Sequence, residues 1–342
     1  MTNEDTFGQR VALLQMLTGF WVPQIIATAC RTGLLSSIAA GPDRDVAALA
    51  TDLGLDTVRL AKLIAGAQTL GLVRIDALGL LTLTDAGRLL LPGVPGSLDG
   101  YARLVGARFY KAWGELERLM RGGPESGFEL AFGHGLYSTE EAELQDAFYT
   151  AMRGFSMTCL PPLAAIFRAE APRTLLDIGG GDGTVARALC AAVDGLSVTV
   201  LDRPGVADVT DPTDRVTFIS GEITAPFPAT YDAMLAFRVL HNLPDASLAC
   251  LLGHARAALP LGGRFYIVDP QGGPQQALMD LNMMVLTGGR LRSDLEWQEI
   301  AATACLKLRS IRPLDTAHRL LTLAHYAPET RPERSAPRSL PR

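Results

Sequence analysis

Leu175-Leu176-Asp177-Ile178-Gly179-Gly180-Gly181-Asp182-Gly183 decides how this chain folds. An apolar run short enough for a buried strand ends at glycines that let the backbone come close to a ligand. A helix beginning near Thr184 then aims its N-terminal N–H groups at that ligand. For Gly180, a plain turn in the chain and direct contact with the ligand both stay open. Several nucleotide-binding folds share such a loop, so alone it leaves nicotinamide, flavin and S-adenosylmethionine cofactors open.

Outward from the loop, apolar runs alternate with helical stretches, as a parallel sheet with crossover helices requires. The predicted strands are TLLDI, SVTVLD, VTFIS, AMLAFRVL and RFYIVD. Asp202 ends the second of them, about 25 residues after Asp177, where a carboxylate accepts hydrogen bonds from both ribose hydroxyls and disfavours a 2′-phosphate. Gly221, Glu222 and Ile223 follow the third strand, at the place for an adenine edge and face. Arg238, near the end of the fourth, is placed to meet a cofactor carboxylate.

Upstream, VAALATDLGLDTVRLAKLIAGAQTLGLV reads as two helices broken at Gly54, the second starting near Asp56. Two short strands follow around a turn at Asp76 to Gly79, then a helix capped by Thr84. This is a winged helix. Its second helix offers only Arg59 and Lys62 among apolar residues, which favours dimerisation over DNA. Val11 to Cys30 carries no charge, a length that raises the question of a membrane span. Gln15, Thr18, Gly19 and Gln24 interrupt it, and Pro23 is expected to split it into two helices buried in a protein interface.

The expected division is 1–95 winged-helix dimerisation domain, 96–170 helical cover, 171–327 Rossmann-like catalytic domain and 328–342 disordered tail. Within the cover, helices from Leu98 to about Gly122 and from Ser138 to Arg168 flank a glycine-rich loop. The fold class is α/β, a doubly wound, mostly parallel seven-stranded sheet with a mainly helical N-terminal domain. A net charge of -5 from 31 basic and 36 acidic residues argues against a nucleic-acid partner. Five scattered cysteines without a CxxC pair fit neither a disulfide framework nor a zinc knuckle, and suit a reducing cytoplasm. No HxxxH pattern is present, so metal-independent chemistry is expected. The polar, acidic N-terminus lacks the features of a secretory signal.

At these residues the chain resembles the S-adenosylmethionine-dependent O-methyltransferases of the plant caffeate and bacterial polyketide type. The motifs are LLDIGGGDG, LDRP, GE at 221 and 222, RVLHN, LGGRFYIVD and GGRLRSDLEW, in the family's order from Leu175 to Trp297. Weaker N-terminal matches (TGLLSSIAAGP, LTLTDAGRLL, FYTAM) extend the likeness over nearly the whole chain.

The resemblance implies S-adenosylmethionine as methyl donor, S-adenosylhomocysteine as product and a homodimer formed by the N-terminal domain. It implies cofactor contacts at Asp177, Gly179, Gly181, Asp202, Arg203, Gly221, Glu222, Ile223 and Arg238. His241 matches the catalytic base and Asp269 the acid that holds it. Phe148, Met152, Phe155, Asn242, Asp280, Met283, Met284 and Thr287 are expected to line an aromatic or polyketide-like acceptor. The chain departs from the pattern at Asn242-Leu243, where Asp-Trp is usual, and at Leu291, where plant members carry a further acid. Of the other histidines, His134 lies in the cover loop, while His254, His318 and His325 are expected to have surface or packing roles. Methyl transfer to nitrogen or carbon, a non-methylating enzyme that retains the cofactor, and a cofactor-sensing regulator are the alternatives; the regulator needs a basic recognition face that the sequence lacks.

Overall fold

The computed structural model describes residues 3–326 except 42–43, 124, 139–140, 205, 207–212, 272 and 274–275. The expected tail at 328–342 lies outside the described residues.

The chain opens with α1 (Asn3–Thr18) and α2 (Trp21–Arg31). The expected division into two helices is present, but the break falls at Gly19-Phe20. Pro23 sits in the first turn of α2, where the missing N–H has no intrahelical partner to lose. α1 and α2 are largely uncovered: Phe7, Leu13, Leu14, Met16, Leu17, Phe20 and Trp21 are exposed. Thr6–Arg31 is the one helical stretch among the described residues long and apolar enough to cross a membrane.

α3 (Leu34–Ala39), α4 (Val46–Leu53) and α5 (Thr57–Thr69) precede the hairpin β1 (Val73–Ile75) and β2 (Leu81–Leu83), which pair antiparallel with Val73 opposite Leu83. Asp45 and Asp56 cap α4 and α5 through their carboxylates, and Thr84 caps α6 (Asp85–Arg88). Asp76 accepts from the N–H groups of Leu78 and Leu80, closing the wing. Leu34, Leu49, Leu60, Ile64 and Leu81 form the core of this winged helix.

Next come α7 (Asp99–Leu104), a π-helical turn at Val105–Phe109, α8 (Tyr110–Gly114) and α9 (Leu116–Leu119). The stretch expected to be a plain glycine-rich loop contains α10 (Gly127–Phe132). Its signal is a capping box in which Ser126 and Glu129 each bond the other's backbone N–H. α11 (Ala142–Glu170) runs 29 residues with Pro161 and Pro162 inside it and spans from the cover to the sheet.

The sheet consists of β3 (Thr174–Ile178), β4 (Ser197–Asp202), β5 (Val216–Ser220), β6 (Ala233–Phe237), β7 (Arg264–Pro270), β8 (Leu306–Pro313) and β9 (His318–His325), in the order β5-β4-β3-β6-β7-β9-β8. β3 to β7 are parallel, and β9 runs antiparallel between β7 and β8. The expected run AMLAFRVL stops as a strand at Phe237. Arg238 has φ +59, which breaks the extended path, and Leu240–Asn242 forms a 3-10 turn.

Strand alternation produces two cores. Leu176, Ile178, Met234, Ala236, Phe265 and Ile267 face α13 (Asp245–Ala258) and α15 (Asp294–Thr303). Leu175, Leu235, Tyr266 and Val268 face α11 and α12 (Thr184–Ala192). Burial of each such side chain contributes about 1.5–3 kcal/mol, so both layers are held on the sheet. α14 (Gln276–Thr287) instead packs on α10 and α8 of the cover. The chain order reverses direction on either side of β3, and at such a switch point the C-terminal strand ends leave a crevice.

Candidate active site

That crevice is a cavity of about 410 Å³, within the ~300–1,000 Å³ usual for small-molecule sites. Its floor is the loop after β3. Gly179 has φ +70, and a side chain there would strike Val239 at 2.8 Å. A Cβ on Gly180 would lie 2.5 Å from Asp177 Oδ2. The loop therefore leaves room that any side chain would fill. Asp202 braces it: Oδ2 accepts from Gly181 N at 2.8 Å and Oδ1 from Arg203 N at 2.8 Å.

Asp177 is fully buried beneath the loop, and neither carboxylate oxygen has a hydrogen-bond partner. Burial, then the neighbouring carboxylates Asp202 and Asp182, push its pKa up to about 7. An unpartnered buried carboxylate under the floor of a cavity is costly unless a cationic ligand group completes it. The donor set is compatible with S-adenosylmethionine, because a buried carboxylate without a partner suits a cationic group and a strand-end carboxylate suits ribose hydroxyls.

Of the residues expected at the cofactor, Asp177, Gly179, Gly181, Asp202, Arg203, Glu222, Ile223 and Arg238 line the cavity. Gly221 does not; its N–H donates to Asp202 O at 2.9 Å and so fixes the turn. Arg238 faces the cavity, but its guanidinium is set against α11 and the start of β9. It lies 4.8 Å from the centre of the Phe155 ring, and Nη1 donates to His318 Nε2 at 2.7 Å.

The roof comes from α11. Phe148, Met152 and Ser156, four residues apart, line the cavity together with Tyr149 and Arg153. Tyr149 covers Gly181, and Arg153 Nη1 donates to Asp182 Oδ2 at 2.7 Å, linking roof and floor. Tyr149 and Arg153 were not expected at the site, although the same helical periodicity that selects Phe148 and Met152 brings them there. Tyr137, also unexpected, lies under the Arg203 guanidinium, and burial raises its pKa to about 12 despite Arg238 and Arg203.

His241 sits on the 3-10 turn and is buried beside Asn242, which lines the cavity. Its Nδ1 lies 2.7 Å from Asp269 Oδ1 at the end of β7. With Nδ1 protonated and donating to the carboxylate, Nε2 carries the free lone pair and has no bond to a described residue. Asp269 Oδ2 faces Arg319 Nη2 at 3.7 Å.

The turn is clamped by Arg292, whose Nη1 and Nη2 donate to the carbonyls of Leu240 (3.1 Å) and Leu243 (2.6 Å). Arg290 N donates to His241 O at 2.9 Å. The GGRLRSDLEW segment thus holds the histidine turn from below.

Among the other residues expected at the acceptor, Phe155 packs under Arg238 and against Tyr101. Asp280, Met283, Met284 and Thr287 do not line the cavity. Asp280 Oδ1 accepts from Leu291 N at 2.6 Å, and Thr287 Oγ1 donates to Met283 O at 3.0 Å, so both secure α14 and its following turn. His134 packs on Phe128 in the cover. His318 is not at the surface. It is buried, with Nδ1 directed at Asp315. Cys159 Sγ is 3.0 Å from Asp315 and 3.1 Å from His318. The three could in geometry hold a metal ion, but each is spent on hydrogen bonds and the Arg238 cation adjoins them, which opposes a second cation.

The ends of β3 to β7 bring together a glycine-floored cleft and, behind Asn242, the buried His241–Asp269 pair. The family described as the O-methyltransferase domain matches residues 113–307, more than half of the chain. The chain belongs to that family. Among its curated relatives, 3-amino-4-hydroxybenzoate 4-O-methyltransferase of Streptomyces cremeus is 29% identical over 330 residues, covering 91% of this chain and 89% of the relative. Phenazine-1-carboxylate N-methyltransferase of Pseudomonas aeruginosa is 28% identical, covering 95% and 99%. Among solved structures, the mitomycin 7-O-methyltransferase superposes with TM-score 0.85 at 25% identity, covering 95% of this chain and 100% of that one. This family member thus shares its whole architecture, cover and winged helix included, with small-molecule methyltransferases.

Proposed function

We propose that the protein transfers a methyl group from S-adenosylmethionine to a hydroxyl of an aromatic or polyketide-like secondary metabolite, with His241 as general base. The observation that carries this reading is the His241–Asp269 pair at the ends of β6 and β7, beside a glycine-floored cleft whose buried Asp177 lacks a partner.

Bound S-adenosylmethionine supplies an activated methyl that leaves its sulfonium by in-line displacement, so the protein's work is alignment, exclusion of water and proton removal. Asp177, the glycine loop, Asp202, Arg203, Glu222, Ile223 and Arg238 hold the donor, and Gly221 fixes the turn behind Asp202. Phe148, Met152 and Asn242 position the acceptor ring, with Phe155 packed behind them, while Asp280, Met283, Met284 and Thr287 support it from α14. A phenol ionises near pH ~10, so a base assists at neutral pH. His241 Nε2 takes the hydroxyl proton, and Asp269 holds the ring and stabilises the imidazolium.

The exposed apolar side chains of α1 and α2 support a homodimer through the N-terminal domain rather than a membrane span, since Gln15, Thr18, Gly19 and Gln24 interrupt the apolar run. The division at 1–95, 96–170 and 171–327 and a cytoplasmic location belong to the same reading. The N-methylating relative keeps nitrogen acceptors as the second reading.

The test is turnover of methyl-labelled S-adenosylmethionine against phenols, amines and activated-carbon acceptors, with wild type beside His241→Ala. Label on oxygen that falls ~10²-fold or more in the variant is the expected result. Label on nitrogen or carbon, indifferent to His241, would establish the second reading instead.

A further inference from the structure

Arg238 is half-buried at the cavity wall, and its guanidinium is already gripped at one corner. Asp269 acts on it as a nearby opposite charge, and Phe155 flanks it at 4.8 Å. Neither contact sets the direction of the fork. Among the described residues, His318 is the one hydrogen-bond partner of that guanidinium: Nη1 lies 2.7 Å from His318 Nε2. His318 is buried at the start of β9, where it pairs with Pro270 of β7, and its ring lies 6.3 Å from that of Phe237 at the cavity.

This contact fixes the tautomer of His318. Every guanidinium nitrogen is a donor, so Nε2 must present its lone pair, and the proton of the neutral ring sits on Nδ1. Nδ1 is 3.0 Å from both oxygens of Asp315, ready to donate. Burial, and then the Arg238 cation, lower the pKa of His318 and keep it neutral. Asp315 is held in turn. Oδ1 accepts from the N–H groups of Ala317 and His318 at 2.7 Å each, and Oδ2 from Thr158 Oγ1 at 2.7 Å and Cys159 Sγ at 3.0 Å. The same assignment bears on Cys159, Asp315 and His318 as metal ligands: an ion on Nδ1 would move the ring proton to Nε2, setting donor against donor at Arg238.

A chain of directional bonds therefore runs from the turn between β8 and β9, braced by α11, to the arginine after β6. At its far end the Arg238 backbone is pinned to β7, its N–H donating to Val268 O at 2.9 Å, with φ +59 turning the residue off the strand path. A free arginine must be ordered when it meets a ligand, and a fixed acceptor removes that cost.

We propose that His318 is a positioning residue of the donor site: as the neutral Nδ1–H tautomer held by Asp315, it grips Nη1 of Arg238 and so orients the rest of the guanidinium for S-adenosylmethionine. The inference rests on the reading of Arg238 as a donor contact and deepens it.

The experiment uses the full-length protein. Nitrogen-15 NMR of the histidine-labelled wild type at neutral pH should show His318, assigned by its loss in His318→Gln, as the Nδ1–H tautomer. Calorimetry then measures S-adenosylhomocysteine binding. His318→Phe keeps a ring but removes the acceptor, and should weaken binding about 3- to 10-fold, as ordering one long side chain costs. His318→Gln presents an amide oxygen to Arg238 and should stay within about twofold of wild type. In an Arg238→Gln background, His318→Phe should have no further effect, whereas a merely structural role would weaken binding in both backgrounds. An Nε2–H or imidazolium form, an undiminished His318→Phe loss in Arg238→Gln, or unaltered binding by a folded His318→Phe would each overturn the proposal and leave the Arg238 donor contact standing. The wild-type tautomer tests the proposal even where His318→Phe fails to fold. Wild-type affinity in Arg238→Gln would reject the donor contact and the proposal with it. The expected binding pattern without labelled methyl transfer would sustain the proposal and reject the reaction.

Discussion

His241 Nδ1 and Asp269 Oδ1 lie 2.7 Å apart, both side chains buried, while the other oxygen of Asp269 faces Arg319 at 3.7 Å. One carboxylate thus joins a histidine from the turn after β6 to an arginine from β9. Arg319 is itself anchored by Asp294 at 2.5 Å and by the carbonyl of Arg292 at 2.5 Å. Asp269→Ala should lower kcat about 10- to 10²-fold by freeing the imidazole to rotate and change tautomer. Arg319→Gln should lower it by less, because His241 keeps its partner. Steady-state kinetics of the two variants checks the order; an Arg319 effect larger than that of Asp269 would contradict it.

Asp177 sets a pH dependence whose sign follows from its raised pKa of about 7. The folded protein retains a proton there that the unfolded chain loses near pH ~4, so the cofactor-free protein loses stability as pH rises between those values. Asp177→Asn should remove this slope and raise Tm at pH 8. The same change should weaken S-adenosylmethionine about 10- to 100-fold through loss of a charge-assisted contact. In the wild type, cofactor affinity should fall as pH drops below about 7. Calorimetry from pH 6 to 8, beside thermal melts, measures all three.

Arg153 and Asp182 link α11 to the glycine loop, but their side chains remain 44% and 33% exposed. Such a pair is worth at most ~1 kcal/mol. Arg153→Ala should leave Tm almost unchanged and speed cofactor release by no more than about fivefold, as read by stopped-flow displacement. A large loss of stability would mean that the pair holds the cover in place.

Leu14, Leu17 and Trp21 are 52%, 70% and 57% exposed in the two N-terminal helices. Apolar side chains grouped in this way mark an interaction surface. Leu14→Glu with Leu17→Glu should convert the proposed homodimer to a monomer in light scattering. A wild-type monomer at micromolar concentration would remove the assembly from the proposal.

Much of this was legible along the chain. The glycine loop, Asp202, the winged-helix caps at Asp56 and Thr84, and the strand run from Thr174 depend on residues near one another in sequence, where propensity, capping and alternation act. The capping box at Ser126 and Glu129 was equally local and shows that α10 was readable too. His241 and Asp269 were recognisable through family motifs.

Their surroundings were not legible, because they join segments far apart in the chain. Arg292 reaches back to clamp the turn bearing His241, and Arg319 comes from β9 to the second oxygen of Asp269. Arg238, just after β6, reaches His318, 80 residues later. Asp280 and Thr287, expected in the pocket, are drawn instead into backbone bonds around α14. Local sequence determined which groups the proposed reaction has for binding a donor and moving a proton. Tertiary packing decided which charges are paired and which is left open, because burial and partner geometry are properties of the assembled sheet and its cover.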